Sequence, residues 1–451
     1  MQPLYKISEL YPDPYQVSKQ LSGMDRYIKN NNLDRKDYEE ENDNLIKVQN
    51  INSNLSADIQ LNNYNSQGSL VDAMRTILFD NQPTGESKWS DLSAWNKTFV
   101  KQIKTNYVKI DPTLPKYKFR YIMQKDKNAP LAVIYPSIGE GVMSAESVIQ
   151  AKMLYDEGYS VVIQGSAFQW EFVKSMPKIY KPGLPNQDAY YLRITAAEII
   201  NKLQSKYECQ FSKKILVGTS FGGLTGIFAA AQEEHDKALG NRTIGFSNYI
   251  FICPPIQCFY ALQQIDKYSQ AWKNNPTDIK LRMAQASQKV MEATQKAAAQ
   301  ESTEQDKETV KLPLSQDDAE IAIGYVLKQK LSDVVFTIEQ APTIKKSNIY
   351  DTINNMSYYD YAQKYLIKPQ NKTIDKLDYE SSLYSISDYL RNNKQYKIYH
   401  SLDDCFVNQT QLAWLKHQTG HKSIFFSNGS HLGFLYRKEF LNEFKKDTKL
   451  N

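Results

Sequence analysis

Short apolar runs and longer amphipathic stretches alternate through the middle of the chain. Residues 131–135, Leu-Ala-Val-Ile-Tyr, are apolar without a break and five long, the signature of a strand buried on both faces. A helix over 145–157 stops at Gly158, and a strand at 160–164 follows. Next comes a helix over 188–206 with Ile194, Ile199, Ile200 and Leu203 along one side. A strand at 214–217, a helix at 222–232 and a strand at 249–253 continue the rhythm. Such alternation predicts an α/β fold whose mostly parallel sheet carries helices on both faces.

Two regions break the rhythm. Residues 1–75 are rich in Asn, Gln and acidic residues, as in Asn30-Asn31-Asn32 and Glu39-Glu40-Glu41, and no helical stripe persists. They read as an extension that drapes over the core or is partly disordered. Short helices at 70–78 and 92–103 and two β-like runs, 107–110 and 117–123, then lead into the sheet; Asp111-Pro112-Thr113-Leu114-Pro115 splits the runs. Between 254 and 394 the alternation stops. Helices are expected at 279–299 and 317–331, the second capped by Ser315, with a charged connector at 301–311 between them. A piece holding Tyr358, Tyr359, Tyr361 and Tyr365 follows. Strands at 396–400 and 423–426 and a helix near 437–446 resume the pattern. The expected division is an N-terminal extension (1–75), a first core part (76–258), a helical cap (259–393) and a second core part (394–451).

Composition locates the polar material. Of 451 residues 41% are hydrophobic, but 31 of these are tyrosines; counting the 18 glycines in their place leaves about 38%. That is under the ~45–50% of an average globular chain, and the deficit falls in the extension and the cap. A net charge of +5 over this length is too thin to imply a nucleic-acid or anionic-membrane surface. No window approaches 18 apolar residues, so no transmembrane segment is expected, and the first residues lack a basic-then-apolar leader. Cys209, Cys253, Cys258 and Cys405 form no CxxC pair, which points to a reduced, cytoplasmic protein. Cys253 and Cys258 flank a Pro-Pro turn, and whether they pair is open at this stage.

The chemistry concentrates in Gly218-Thr219-Ser220-Phe221-Gly222-Gly223, between a predicted strand and a predicted apolar helix. A serine on such a sharp turn is pushed outward at the carboxyl edge of the sheet. The Phe221 N–H, at a helix N-terminus, then suits an oxyanion. Of five histidines, His235 lies at the far end of the helix after the turn, His400 within a strand, and His417 and His421 in a polar helix and the turn after it. His431 lies in a glycine-bounded loop, Asn428-Gly429-Ser430-His431-Leu432-Gly433, after the last strand, and is the expected base. The acid is Asp403 or Asp404, in the loop after strand 396–400; Asp404 is favoured because Phe406-Val407 anchors the chain beside it. Ile138, in Pro136-Ser137-Ile138-Gly139-Glu140-Gly141, is the expected second oxyanion donor, with Gly139 next.

This combination resembles the α/β-hydrolase superfamily. The order Ser220, Asp404, His431 is that family's nucleophile–acid–histidine order. The segments GxSxGG, Leu-Asp-Asp-x-Phe-Val and Gly-x-His-x-Gly-Phe, with Tyr379-Glu380-Ser381-Ser382 ahead of the acid strand, look most like an esterase branch with a helical cap. The likeness covers roughly 105–258 and 393–451 and departs at Pro136-Ser137, where the family usually has His-Gly. It implies acyl transfer on a small-molecule or acyl substrate: hydrolysis of a carboxylic ester, or peptidase, thioesterase or acyltransferase chemistry on the same triad. A binding protein that retains the fold without catalysis is the reading from another class. No cofactor or metal is implied, and no HExxH, GxGxxG or P-loop is present. The polar, Tyr-rich cap suggests short or polar substrates.

Overall fold

A computed structural model of the chain describes residues 55–75, 98–273, 311–339, 355–370 and 372–450, with a few positions between 281 and 292 and residue 353. The expectations for 1–54, for 76–78 of the helix at 70–78, for the first half of the helix at 92–103, for most of that at 279–299, and for nearly all of the 301–311 connector concern residues outside these.

Among the described residues eight strands form one sheet: β1 (Lys104–Val108), β2 (Tyr117–Ile122), β3 (Leu131–Tyr135), β4 (Ser160–Ile163), β5 (Lys214–Thr219), β6 (Asn248–Ile252), β7 (Tyr396–Ser401) and β8 (Ser423–Phe426). Their spatial order is β1-β2-β4-β3-β5-β6-β7-β8. β2 runs antiparallel to β1 and β4, and every other pairing is parallel. β1 starts and ends earlier than the expected run, its pairing closing at Val108 opposite Tyr117, the first residue of β2; beyond it the Asp111 carboxylate accepts the Thr113 N–H and hydroxyl in the turn.

Strand periodicity distributes the core. Leu131, Val133, Tyr135, Leu216, Phe251 and Ile398 face one layer, which holds helices Pro185–Tyr207, Phe221–Ala238 and Gln409–Thr419. Ala132, Ile134, Ile215, Val217, Ile250 and Ile252 face the other, with helices Ala145–Asp156 and Lys438–Thr448. Each large side chain withdrawn this way contributes roughly 1.5–3 kcal/mol, so the uninterrupted apolar strands commit the sheet to burial on both faces.

Among the described residues between β6 and β7 helices predominate, chiefly Cys258–Lys273 and Gln316–Glu339. The first lies under no expected helix, since its Pro254-Pro255 lead-in hides the start of its apolar stripe (Cys258, Phe259, Ala261, Ile265, Tyr268). The second outruns its expected end at 331, because Val334 and Val335 remain buried beyond Ser332-Asp333. Its cap is Ser315: the hydroxyl accepts the Asp318 N–H and the Asp318 carboxylate accepts the Ser315 N–H. Residues 55–75 lie along β8, where Ile59 bridges Phe426 in parallel. No helix among the described residues is long and apolar enough to cross a membrane.

Candidate active site

β5 delivers the chain to Ser220 and the helix Phe221–Ala238 carries it away. Between them Ser220 takes φ 53°, ψ −121°, a backbone region that L-residues avoid and that costs on the order of 1–3 kcal/mol. The neighbours fix it there. The Ser220 N–H donates to the Ile252 carbonyl of β6 at 2.7 Å, and the Leu224 N–H donates to the Ser220 carbonyl at 3.0 Å. Gly222 packs directly on the end of β3: a β-carbon there would sit 2.1 Å from the Tyr135 carbonyl oxygen and 2.4 Å from that of Pro136. Close approach therefore requires glycine, and it draws the loop after β3 up against the serine turn.

His431, in the loop after β8, reaches this turn. The Ser220 hydroxyl donates to Nε2 at 2.7 Å. On the other side of the ring, Nδ1–H donates to the Asp404 carboxylate, at 2.9 Å to Oδ2 and 3.1 Å to Oδ1. Phe406 stands edge-on to the imidazole with ring centroids 4.7 Å apart. All three polar side chains are buried. Burial pushes the Asp404 carboxyl up, but the neighbouring His431, His400 and the Phe406 N–H (2.8 Å to Oδ1) outweigh it and hold the group below the usual carboxylate range.

Asp403 does different work. Its carboxylate accepts the Ser430 N–H at 2.8 Å, one residue before His431, and burial raises its pKa to about 6. Of the two acids left open by the sequence, Asp404 is the one on the imidazole.

Around the expected oxyanion donors, Phe221 is the first residue of its helix, where N–H groups lack intrahelical acceptors. Ile138 sits in a turn closed by the Glu140 N–H donating to the Ser137 carbonyl at 3.1 Å, and no described residue accepts its own N–H. Two carboxylates hold this turn. Glu146 accepts the Ser137 N–H at 2.8 Å, its pKa raised by burial and by nearby Glu140. Glu140 pairs with Lys330 from helix Gln316–Glu339.

Several contacts lie outside the sequence expectations. His400, excluded as a base, places Nδ1 3.4 Å from Asp404 Oδ2 and Nε2 3.1 Å from the Pro254 carbonyl. Burial lowers its pKa. Its four-residue distance from Asp404, across a strand end, was the available signal. Cys253 completes a buried cluster with His400 and Asp404, ligand-type atoms within 4.8 Å of one another. These donors are of metal-binding type, but Asp404 is already engaged by His431 and Phe406, so the cluster fits as a floor beneath the carboxylate. All four cysteines are free thiols, so Cys253 and Cys258 are not bridged.

No family model and no curated protein matches the chain. Among solved structures, an esterase of Pyrococcus furiosus is 10% identical, with a TM-score of 0.40, covering 78% of this chain and 94% of its own. An esterase of Pyrobaculum calidifontis is 14% identical, TM-score 0.37, covering 84% and 88%. The acylaminoacyl peptidase of Pyrococcus horikoshii is 12% identical, TM-score 0.37, covering 79% of this chain and 43% of the peptidase. By its own strand order, and by the serine turn between β5 and the helix that follows, the chain has the α/β-hydrolase fold.

Proposed function

We propose that the protein is a serine hydrolase that cleaves a carboxylic ester through Ser220, His431 and Asp404. One observation carries this reading: a single imidazole bonded to the Ser220 hydroxyl on one nitrogen and to a buried carboxylate on the other. That arrangement is costly to bury and idle in a protein that only binds. In the proposed reaction Ser220 Oγ attacks the acyl carbon while its proton passes to His431 Nε2. Asp404 keeps Nδ1 protonated and stabilises the imidazolium. The oxyanion lies against the Phe221 and Ile138 N–H groups. His431 then protonates the departing alcohol, and a water activated by the same ring releases the acid.

The helices between β6 and β7 serve in this reading as a cap. The preference for short or polar acyl groups that the Tyr-rich cap suggested belongs to the same reading. Tyr358 and Tyr361 spend their hydroxyls internally, on the Leu327 and Pro182 carbonyls, each at 2.8 Å. Both are fully buried, with Phe168 stacked on Tyr358 and edge-on to Tyr361 and Phe221. Four free thiols fit a reducing compartment such as the cytoplasm.

A fluorophosphonate probe tests the core of the proposal. Wild type is expected to label, and Ser220→Ala to lose both labelling and at least about 10⁴-fold in ester turnover. Equal labelling of the two proteins, or of neither, would sink the reading. Parallel rates on p-nitrophenyl esters and peptide amides then separate esterase from peptidase chemistry.

A further inference from the structure

Residues 55–75, which the sequence offered only as an extension, are fastened to the loop that carries His431 at point after point. The Ser427 N–H donates to the Ile59 carbonyl at 3.0 Å, and the Leu61 N–H donates to Ser427 Oγ at 3.1 Å. Farther on, the Asn62 N–H donates to Glu439 Oε1 at 3.1 Å, and Arg437 donates to the Asn62 carbonyl. In the middle Gly433 lies flat against the segment: a β-carbon there would be 2.2 Å from the Asp72 carbonyl oxygen.

The loop needs this support. Ser430 (φ 46°) and Leu432 (φ 72°), the two residues flanking His431, both hold left-handed backbone that non-glycine residues avoid. Such conformations persist only where the surroundings over-determine them. On the sheet side Asp403 and Ser401 grip Ser430. On the far side stands a fully buried ion pair, Asp72 with Arg75 (Nε to Oδ1, 3.0 Å). Covering a sheet edge calls for apolar side chains; a buried pair costs desolvation and survives only when its remaining valences are met. Here they are: Asp72 accepts from Ser66 Oγ at 2.6 Å and the Gln67 N–H at 3.1 Å, and Arg75 donates to Asn65 O at 2.8 Å and Gln67 Oε1 at 2.9 Å. Arg75 also acts on Tyr436 of the same loop, opposing the upward push that burial gives its hydroxyl.

We propose that Asp72 and Arg75 are positioning residues for His431, rigidifying residues 65–75 so that their backbone holds the strained loop in register with Ser220. This rests on the serine-hydrolase reading. The same stretch touches the chain between β6 and β7: Gln67 exchanges hydrogen bonds with Leu312, and Val71 packs with Leu312 and with Ala319 of helix Gln316–Glu339. A structural role confined to that contact would therefore show in KM.

The test measures the fluorophosphonate labelling rate, kcat and KM for wild type, Arg75→Met, Arg75→Lys and the near-isosteric Asp72→Asn. Arg75→Met is expected to lose roughly 10- to 100-fold in kcat and labelling rate, with KM within about twofold, since misplacement of about 1 Å costs this much. Arg75→Lys should recover part of the loss. The downfield Nδ1 proton resonance of His431 should shift or broaden in Asp72→Asn. Should Arg75→Met not fold, Asp72→Asn decides. Unchanged labelling in the folded variants, or a rise in KM alone, overturns the proposal while leaving the hydrolase reading intact. An unlabelled wild type removes both.

Discussion

Asp403 and Asp404 are adjacent in sequence and have opposite electrostatic lives. Asp404 is ionised against His431; Asp403 is buried against a backbone N–H with a pKa raised to about 6 from 3.8. Between those pH values the folded chain holds a proton at Asp403 that the unfolded chain releases. Its contribution to stability is thus complete below about pH 4 and lost as pH rises through about 6. Asp403→Asn keeps an oxygen for Ser430 and removes the titration. Its melting temperature relative to wild type should rise between pH 4 and pH 7, and a difference independent of pH would contradict the assignment. If Asp404 is the triad acid proposed above, Asp404→Asn is expected to cost about 10⁴-fold in kcat, whereas Asp403→Asn should stay within about tenfold. A steady-state comparison on one ester checks both. The neighbour contact that favoured Asp404 was legible in the sequence because Phe406-Val407 fixes the loop. The His400 contact had only its four-residue spacing as a signal, and that spacing does not fix how far β7 runs before it turns.

Elements carry the next lesson. The strand-then-helix pattern around Ser220 was readable because each apolar run was short and each helix had a clear stripe. Boundaries moved where pairing decided them, as with β1, which closes at Val108 opposite the first residue of β2. Glycine at 222 is demanded by contact between elements, the helix start lying on the carbonyls that end β3. Gly222→Ala should therefore destabilise the protein by about 1–3 kcal/mol or more, read by chemical denaturation, and slow fluorophosphonate labelling by displacing the loop that holds Ile138. An alanine variant of wild-type stability would mean the contact is loose. Residues 55–75 were the least legible element. The hydrogen bonds that fasten Asp58 and Leu61 run to Phe425 and Ser427, more than 350 positions away, and no local periodicity encodes such partners.

At the scale of the whole molecule, β6 and β7 are hydrogen-bonded neighbours although residues 253–395 separate them in sequence. The sheet order was inferable only as a class, since which strands neighbour one another is set by loop closure and packing rather than by any strand's own residues. The same separation imposes a schedule on biosynthesis. A ribosome finishes β5 and the serine turn while the chain for β7, β8 and His431 does not yet exist. The half-built sheet then presents the edge of β6, a ready template for wrong pairing, until the C-terminal strands arrive. Nascent chains stalled at residue 395 should consequently contain Ser220 yet give no fluorophosphonate labelling, and should engage chaperones more than full-length chains do. On the proposed reading, the chain gains its activity only after its C-terminal strands have been made.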